Sequence, residues 1–155
     1  MGLSLKIWEQ LGRLPGKDHC EMRVDAVEKF DHIQEGTRVY LYNRVESDEL
    51  SLQVHEEQLR QFAKEKGLEV VGAASDKCNG ASLDRPGWKE VMFAAQAKMI
   101  QAVVVTSVSR VARSYAQTMQ AIEALSACNV ELICIKERVV LNKKSFENLW
   151  MHRGE

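Results

Sequence analysis

From Ala102 to Val108 the chain reads Ala-Val-Val-Val-Thr-Ser-Val, a nearly continuous apolar run with no alternation of polar and apolar residues. A strand of that composition is covered on both faces, which points to a parallel sheet flanked by helices.

The stretches around it fit that reading. Arg38 to Val45 is rich in Val, Tyr and Leu and predicts a strand; Ser51 is a plausible N-cap for a helix with the stripe Leu52, Leu59, Phe62 and Ala63, stopped by Gly67. Leu68 to Ala74 returns to strand, and Pro86 opens a helix whose buried face is Trp88, Val91, Met92, Ala95 and Met99. After the Val-rich strand, Val111, Tyr115, Met119, Ile122 and Leu125 mark a further helix, leading through Asn129 into the strand Val130 to Ile135. The order β-α-β-α-β-α-β predicts an α/β fold: a doubly wound, mostly parallel sheet of four to five strands with helices on both faces.

A chain of 155 residues accommodates one such domain, expected over residues 37–140 with a short tail at 141–155. Residues 1–36 carry 5 basic and 7 acidic groups against 16 and 15 in the remainder, and read as a short helical N-terminal extension. Ile7, Trp8 and Leu11, then Met22, Ala26, Phe30 and Ile33, recur at helical spacing on either side of Pro15-Gly16. Their apolar faces are expected to dock on the main domain.

A net charge of -1 with 28% charged residues fits neither a disordered polyelectrolyte nor a basic nucleic-acid coat, so any anion site must be local. No apolar run approaches the roughly 20 residues that span a bilayer, and the N-terminus lacks the order of a signal peptide. No membrane partner and a cytoplasmic location are expected. Cys20, Cys78, Cys128 and Cys134 show neither disulfide nor zinc spacing and read as reduced thiols, with no metal.

Ligands of such sheets bind at the carboxyl ends of the strands. There the sequence places Arg44, Arg85, Arg110 and Arg113, the last two three residues apart at a helix start, where they share a face and add to the helix dipole. Guanidinium presents a planar fork of donors matched to phosphate oxygens. Two readings stand side by side: a phosphate cluster, or arginines paired with Glu46, Asp48, Asp76 and Asp84 of the same loops.

The blocks Tyr42-Asn43-Arg44-Val45-Glu46-Ser47 with Ser51-Leu52, Asp76 to Gly87, and Val108-Ser109-Arg110-Val111-Ala112-Arg113-Ser114 occur in one order. Together they resemble the catalytic domain of the serine recombinases, the resolvase and invertase family, over about residues 38–138. The resemblance implies site-specific DNA recombination: a serine attacks the scissile phosphate and forms a phosphoserine link to the DNA 5′ end, with no metal or nucleotide cofactor. It implies that Arg44, Arg85, Arg110 and Arg113 surround the DNA phosphate.

In that alignment the nucleophilic serine falls on Glu46. A carboxylate there repels the scissile phosphate and is expected to pair with Arg44 or with Arg110 and Arg113, occupying the site with its own anion. Ser47 would substitute only if the loop shifted by one residue, because successive side chains leaving a strand point to opposite sides. Attack by Glu46 to give an acyl phosphate is the remaining chemical route.

His55 stands where the family has glutamine and reads as a partly buried, neutral histidine; Asn79 and Ser109 stand where many relatives have serine and aspartate. Asp76 and Asp84 match, as loop caps or as site residues. In the tail, Phe146, Leu149 and Trp150 have helical spacing and are expected to cap the sheet, and no helix-turn-helix or zinc module fits there.

Two functions follow from different classes. One is a recombinase domain in DNA strand cleavage and exchange, as a homo-oligomer or with a partner subunit. The other is a catalytically inactive relative that binds DNA or pairs with a full-length, active recombinase as a modulator. A third reading is a domain for a small phosphorylated ligand, held by side chains because no Gly-x-Gly-x-x-Gly or Walker-type run is present.

Overall fold

The computed structural model describes residues 33–46, 49–79 and 83–143, together with the short strands Cys20–Glu21, Glu28–Lys29 and Met151–His152. In chain order the elements are β1 (Cys20–Glu21), β2 (Glu28–Lys29), β3 (Arg38–Val45), α1 (Glu49–Lys66), β4 (Glu69–Lys77), α2 (Pro86–Gln96), β5 (Ala102–Val105), α3 (Tyr115–Ala127), β6 (Glu131–Cys134), β7 (Val139–Leu141) and β8 (Met151–His152). A 3-10 turn at Val108–Arg110 lies between β5 and α3.

The main sheet has the order β2-β7-β6-β5-β3-β4, and the β4-β3-β5-β6 block is parallel throughout. β7 joins it antiparallel to β6, and the two residues of β2 pair antiparallel with β7. β5 is buried at all four residues, the coverage that its valines require. On one face α1 sends Leu59, Phe62 and Ala63 against Val39, Leu41, Val104 and Ile133. On the other, α2 and α3 bring Trp88, Val91, Ala95, Ile122 and Leu125 onto Tyr40, Tyr42, Val103, Val105 and Leu132. Alternation along β3 sorts its side chains between these two cores.

Several local expectations are corrected. Ser51 does not cap the first helix, which already runs from Glu49; Gly67, at φ +68, does end it. α2 stops at Gln96, so Met99 lies beyond it and is exposed, the chain turning instead through Lys98 at φ 59. α3 begins at Tyr115, where the Ser114 hydroxyl accepts from the Gln117 N–H, so Arg110 and Arg113 sit in the loop ahead of the helix and not on its first turn. The helix expected through Met22 to Ile33 is extended at Glu28–Lys29, because the outer edge of β7 offers backbone donors and acceptors that a strand satisfies. The rest of the expected N-terminal helices, Ser47, and the tail residues Phe146, Leu149 and Trp150 lie outside the described residues.

Candidate phosphate-binding site

The sheet is wound outward from β3, with β4 on one side and β5 then β6 on the other. That reversal opens a crevice at the carboxyl end of β3, where ligands of doubly wound folds collect. Arg44, next to last in β3, lies at that end of the strand.

Arg44 is 2% exposed and turns inward. Its Nη1 donates to the Cys78 carbonyl at 2.9 Å, Nη2 to Ser109 O at 2.8 Å, and Nε to Arg110 O at 3.3 Å. One guanidinium thus ties the loops after β4 and β5 to β3. Arg110 returns the contact, its Nη1 donating to the Arg44 carbonyl at 3.0 Å. Burial, then the charges of Arg85, Arg110 and Arg113, lower the Arg44 pKa from its usual value.

Beneath this pair runs a buried chain that starts at Arg85, the residue preceding α2. Arg85 Nη1 donates to the Tyr42 hydroxyl at 2.8 Å and its Nη2 to the Val111 carbonyl. The Tyr42 hydroxyl in turn donates to Asp76 Oδ2 at 2.7 Å. Asp76 also accepts from the first amides of α2, Gly87 N–H on Oδ1 at 2.8 Å and Trp88 N–H on Oδ2 at 3.0 Å. Burial, and next the bond to Asp76, push the Tyr42 phenol well above its usual pKa. The Trp88 ring meets Tyr42 edge-on at 5.1 Å. Gly87 is required by the close approach: a Cβ would lie 2.7 Å from both Asp76 Oδ2 and the Ser75 carbonyl.

At the rim, Glu46 pairs with Arg113, both side chains being more than half exposed. Arg110, whose guanidinium makes one hydrogen bond among the described residues, also borders a cleft of about 1090 Å³ between α1 and the ends of β5 and β6. His55 lines the same cleft and is partly buried, as the sequence predicted; burial, and then Arg110, lower its pKa. Ser109 shares a 2.8 Å hydroxyl contact with Ser107, and Asp84 pairs with Lys89 at the surface at 2.6 Å.

The predicted cluster is therefore layered. Arg44 and Arg110 interlock, Arg113 holds Glu46, and Arg85 is 3% exposed in the buried chain below them. The donors that face outward belong to Arg110 and Arg113. Tyr42 stood in the sequence block, but its bridge between Arg85 and Asp76 has no signature beyond sharing a strand face with Arg44. Among the described residues no helix is long and apolar enough to cross a membrane, and no three His, Cys, Asp or Glu groups gather for a metal.

A parallel sheet wound out from β3, with arginines at its carboxyl end, has the fold of a resolvase-like serine recombinase catalytic domain. The chain belongs to that family: residues 39–152 match the description "Resolvase, N terminal domain". Its fold is similar to the N-terminal catalytic domain of TP901-1 integrase, with 23% identity, TM-score 0.62, and 66% of this chain and 80% of that one covered. It is also similar to a resolvase family site-specific recombinase from Streptococcus pneumoniae, with 22% identity, TM-score 0.61, and 72% and 80% covered. A third likeness is the C-terminal catalytic domain of ISC1926 TnpA, an IS607-like serine recombinase, with 23% identity, TM-score 0.60, and 63% and 69% covered.

Proposed function

We propose that this chain is a DNA-backbone-binding member of the family in which the Glu46 carboxylate occupies, in the free protein, the place of the phosphate. The ion pair between Glu46 and Arg113 carries this reading. A carboxylate and a phosphate compete for the same guanidinium fork, and a half-exposed pair is weak enough for a polyanion to displace. Arg110 and Arg113 contact the phosphate; Arg44 and Arg85 hold the loops that present them. The protein acts by binding DNA or by pairing with an active recombinase as a modulator. Fluorescence anisotropy of random-sequence duplex DNA at low salt tests it. Salt-sensitive binding that rises in Glu46→Gln and falls in Arg110→Ala/Arg113→Ala is expected, and no binding by parent or Glu46→Gln would discard it.

One observation favours strand cleavage and exchange instead. The interlock of Arg44 with Arg110 and the Asp76-Tyr42-Arg85 chain are complete, so a nucleophile is the component that the site lacks at position 46. On this reading Ser47, or a serine supplied at 46, attacks the phosphate. Glu46→Ser should then form a covalent adduct with supercoiled DNA; no adduct in either Glu46→Ser or the parent, with the fold intact, removes it.

A further inference from the structure

We propose that Glu137 is a positioning residue for the loop that carries Arg110 and Arg113. This rests on the phosphate-binding reading of that loop. Glu137 lies in the turn between β6 and β7, far in sequence from the arginines, yet it is 1% exposed. Its Oε1 accepts the backbone N–H of Val108, the first residue of the 3-10 turn that ends on Arg110.

The contact completes a seam. The same turn donates Ile135 N–H to the Val105 carbonyl at 3.0 Å and Lys136 N–H to the Thr106 carbonyl at 2.8 Å. Residues 105, 106 and 108 are thus held in succession by 135, 136 and 137, and the third link is a side chain. Past Val108 the backbone bonds of the loop among the described residues are those of its own turn, Arg110 N–H to Ser107 O and Val111 N–H to Val108 O, before the Arg44 and Arg85 contacts. Glu137 therefore fixes where the turn begins, and with it the height of Arg110 above Arg44.

A carboxylate buried for this purpose is costly, which argues against an incidental placement. Among the described residues Oε2 has no hydrogen-bond partner, and neither does the neighbouring seam's Thr106 Oγ1. The charged and titratable groups that bear on Glu137 are the buried Cys134 thiol of β6 and the Lys136 ammonium in the turn. Burial lifts its pKa from 4.5 to about 6, while its own backbone N–H, then the Val108 N–H and the Lys136 charge, pull the other way by favouring the ionised form. An apolar residue would fill the space without that penalty, but it would leave the Val108 amide without its acceptor.

The test is amide exchange and proton NMR on the whole chain, with Glu137→Gln and Glu137→Ala beside the parent. In the parent, the Val108 amide proton shift should follow the Glu137 carboxyl titration near pH 6. Glu137→Gln keeps an oxygen acceptor, so Val108 to Val111 should exchange within about threefold of the parent, with the titration gone. Glu137→Ala should speed exchange there roughly 10- to 100-fold and weaken duplex DNA binding, while Glu137→Gln retains it. A Val108 shift that ignores the carboxyl titration overturns the proposal, even if Glu137→Ala fails to fold. Unchanged exchange in Glu137→Ala overturns it too. If the loop loosens as stated but the parent binds no DNA, the positioning role stands and the DNA reading fails.

Discussion

Glu46 and Arg113, 67 positions apart in sequence, form an ion pair just past the end of β3, while Arg44, two residues before Glu46, is turned into the protein and bonded to three backbone carbonyls. The same strand end therefore supplies both the guanidinium that ties the surrounding loops together and the carboxylate that pairs with Arg113. A carboxylate at position 46 satisfies the same guanidinium fork that an oxyanion would.

Neutralising that anion should be nearly silent in folding and visible in binding. Glu46→Gln is expected to change stability by less than about 1 kcal/mol, because the pair is half-exposed and screened. It should steepen the dependence of log K for duplex DNA on log salt by about 0.9, the signature of one additional phosphate contact. An unchanged slope would show that Arg113 does not meet DNA.

Arg44 and Arg113 should separate cleanly under urea denaturation. Arg44→Ala leaves the carbonyls of Cys78, Ser109 and Arg110 without their donor in a buried junction and is expected to cost on the order of 3 kcal/mol or more. Arg113→Ala should cost below about 1 kcal/mol and lower DNA affinity instead. Equal losses of stability would contradict the division between clamp and contact.

The buried chain below them should respond to small changes. Tyr42→Phe leaves Arg85 Nη1 facing a ring edge and removes one donor from Asp76, for a loss of roughly 1–3 kcal/mol. Gly87→Ala should be at least as damaging, because the new methyl group meets the Asp76 carboxylate and the Ser75 backbone. Thermal unfolding of both variants checks this; a Gly87→Ala protein as stable as the parent would mean that α2 shifts freely, against the tight contact described.

The pH dependence of stability should carry the mark of Glu137. Its carboxyl pKa is about 6 when folded against an ordinary value of 4.5, so the folded state binds the proton more tightly than the unfolded chain. The resulting stabilisation is full below about pH 4.5 and is lost as pH rises through 6, a change on the order of 2 kcal/mol for this group. Denaturation at pH 5 and pH 7.5 should show a larger difference for the parent than for Glu137→Gln. The same difference in both would assign the pH effect to other groups.

Much of the frame is legible in the order of residues alone. Arg38 to Val45 is a strand to the residue, Gly67 ends its helix, Pro86 opens the next, and the Val-rich run is a strand buried on both sides. These are consequences of local stereochemistry and of periodicity, both of which live within a window of a few residues. The departures fall where a window is too short. Val108 has the composition of β5 but belongs to the 3-10 turn, and Glu28–Lys29 carries helical spacing yet pairs with β7, because a free strand edge overrides a weak local preference.

By itself the sequence determined the layer order, the parallel core, and the arrival of Arg44, Arg85, Arg110, Arg113 and Glu46 at the loop end of the sheet. Only the tertiary structure decided which of those arginines face outward. Arg44 and Arg85 find their acceptors at Cys78, Ser109, Arg110, Tyr42 and Val111, from 26 to 66 residues away, and those oxygens turn both guanidiniums into the protein. A charged side chain's partners are set by where the folded backbone puts its oxygens, and that information is not local.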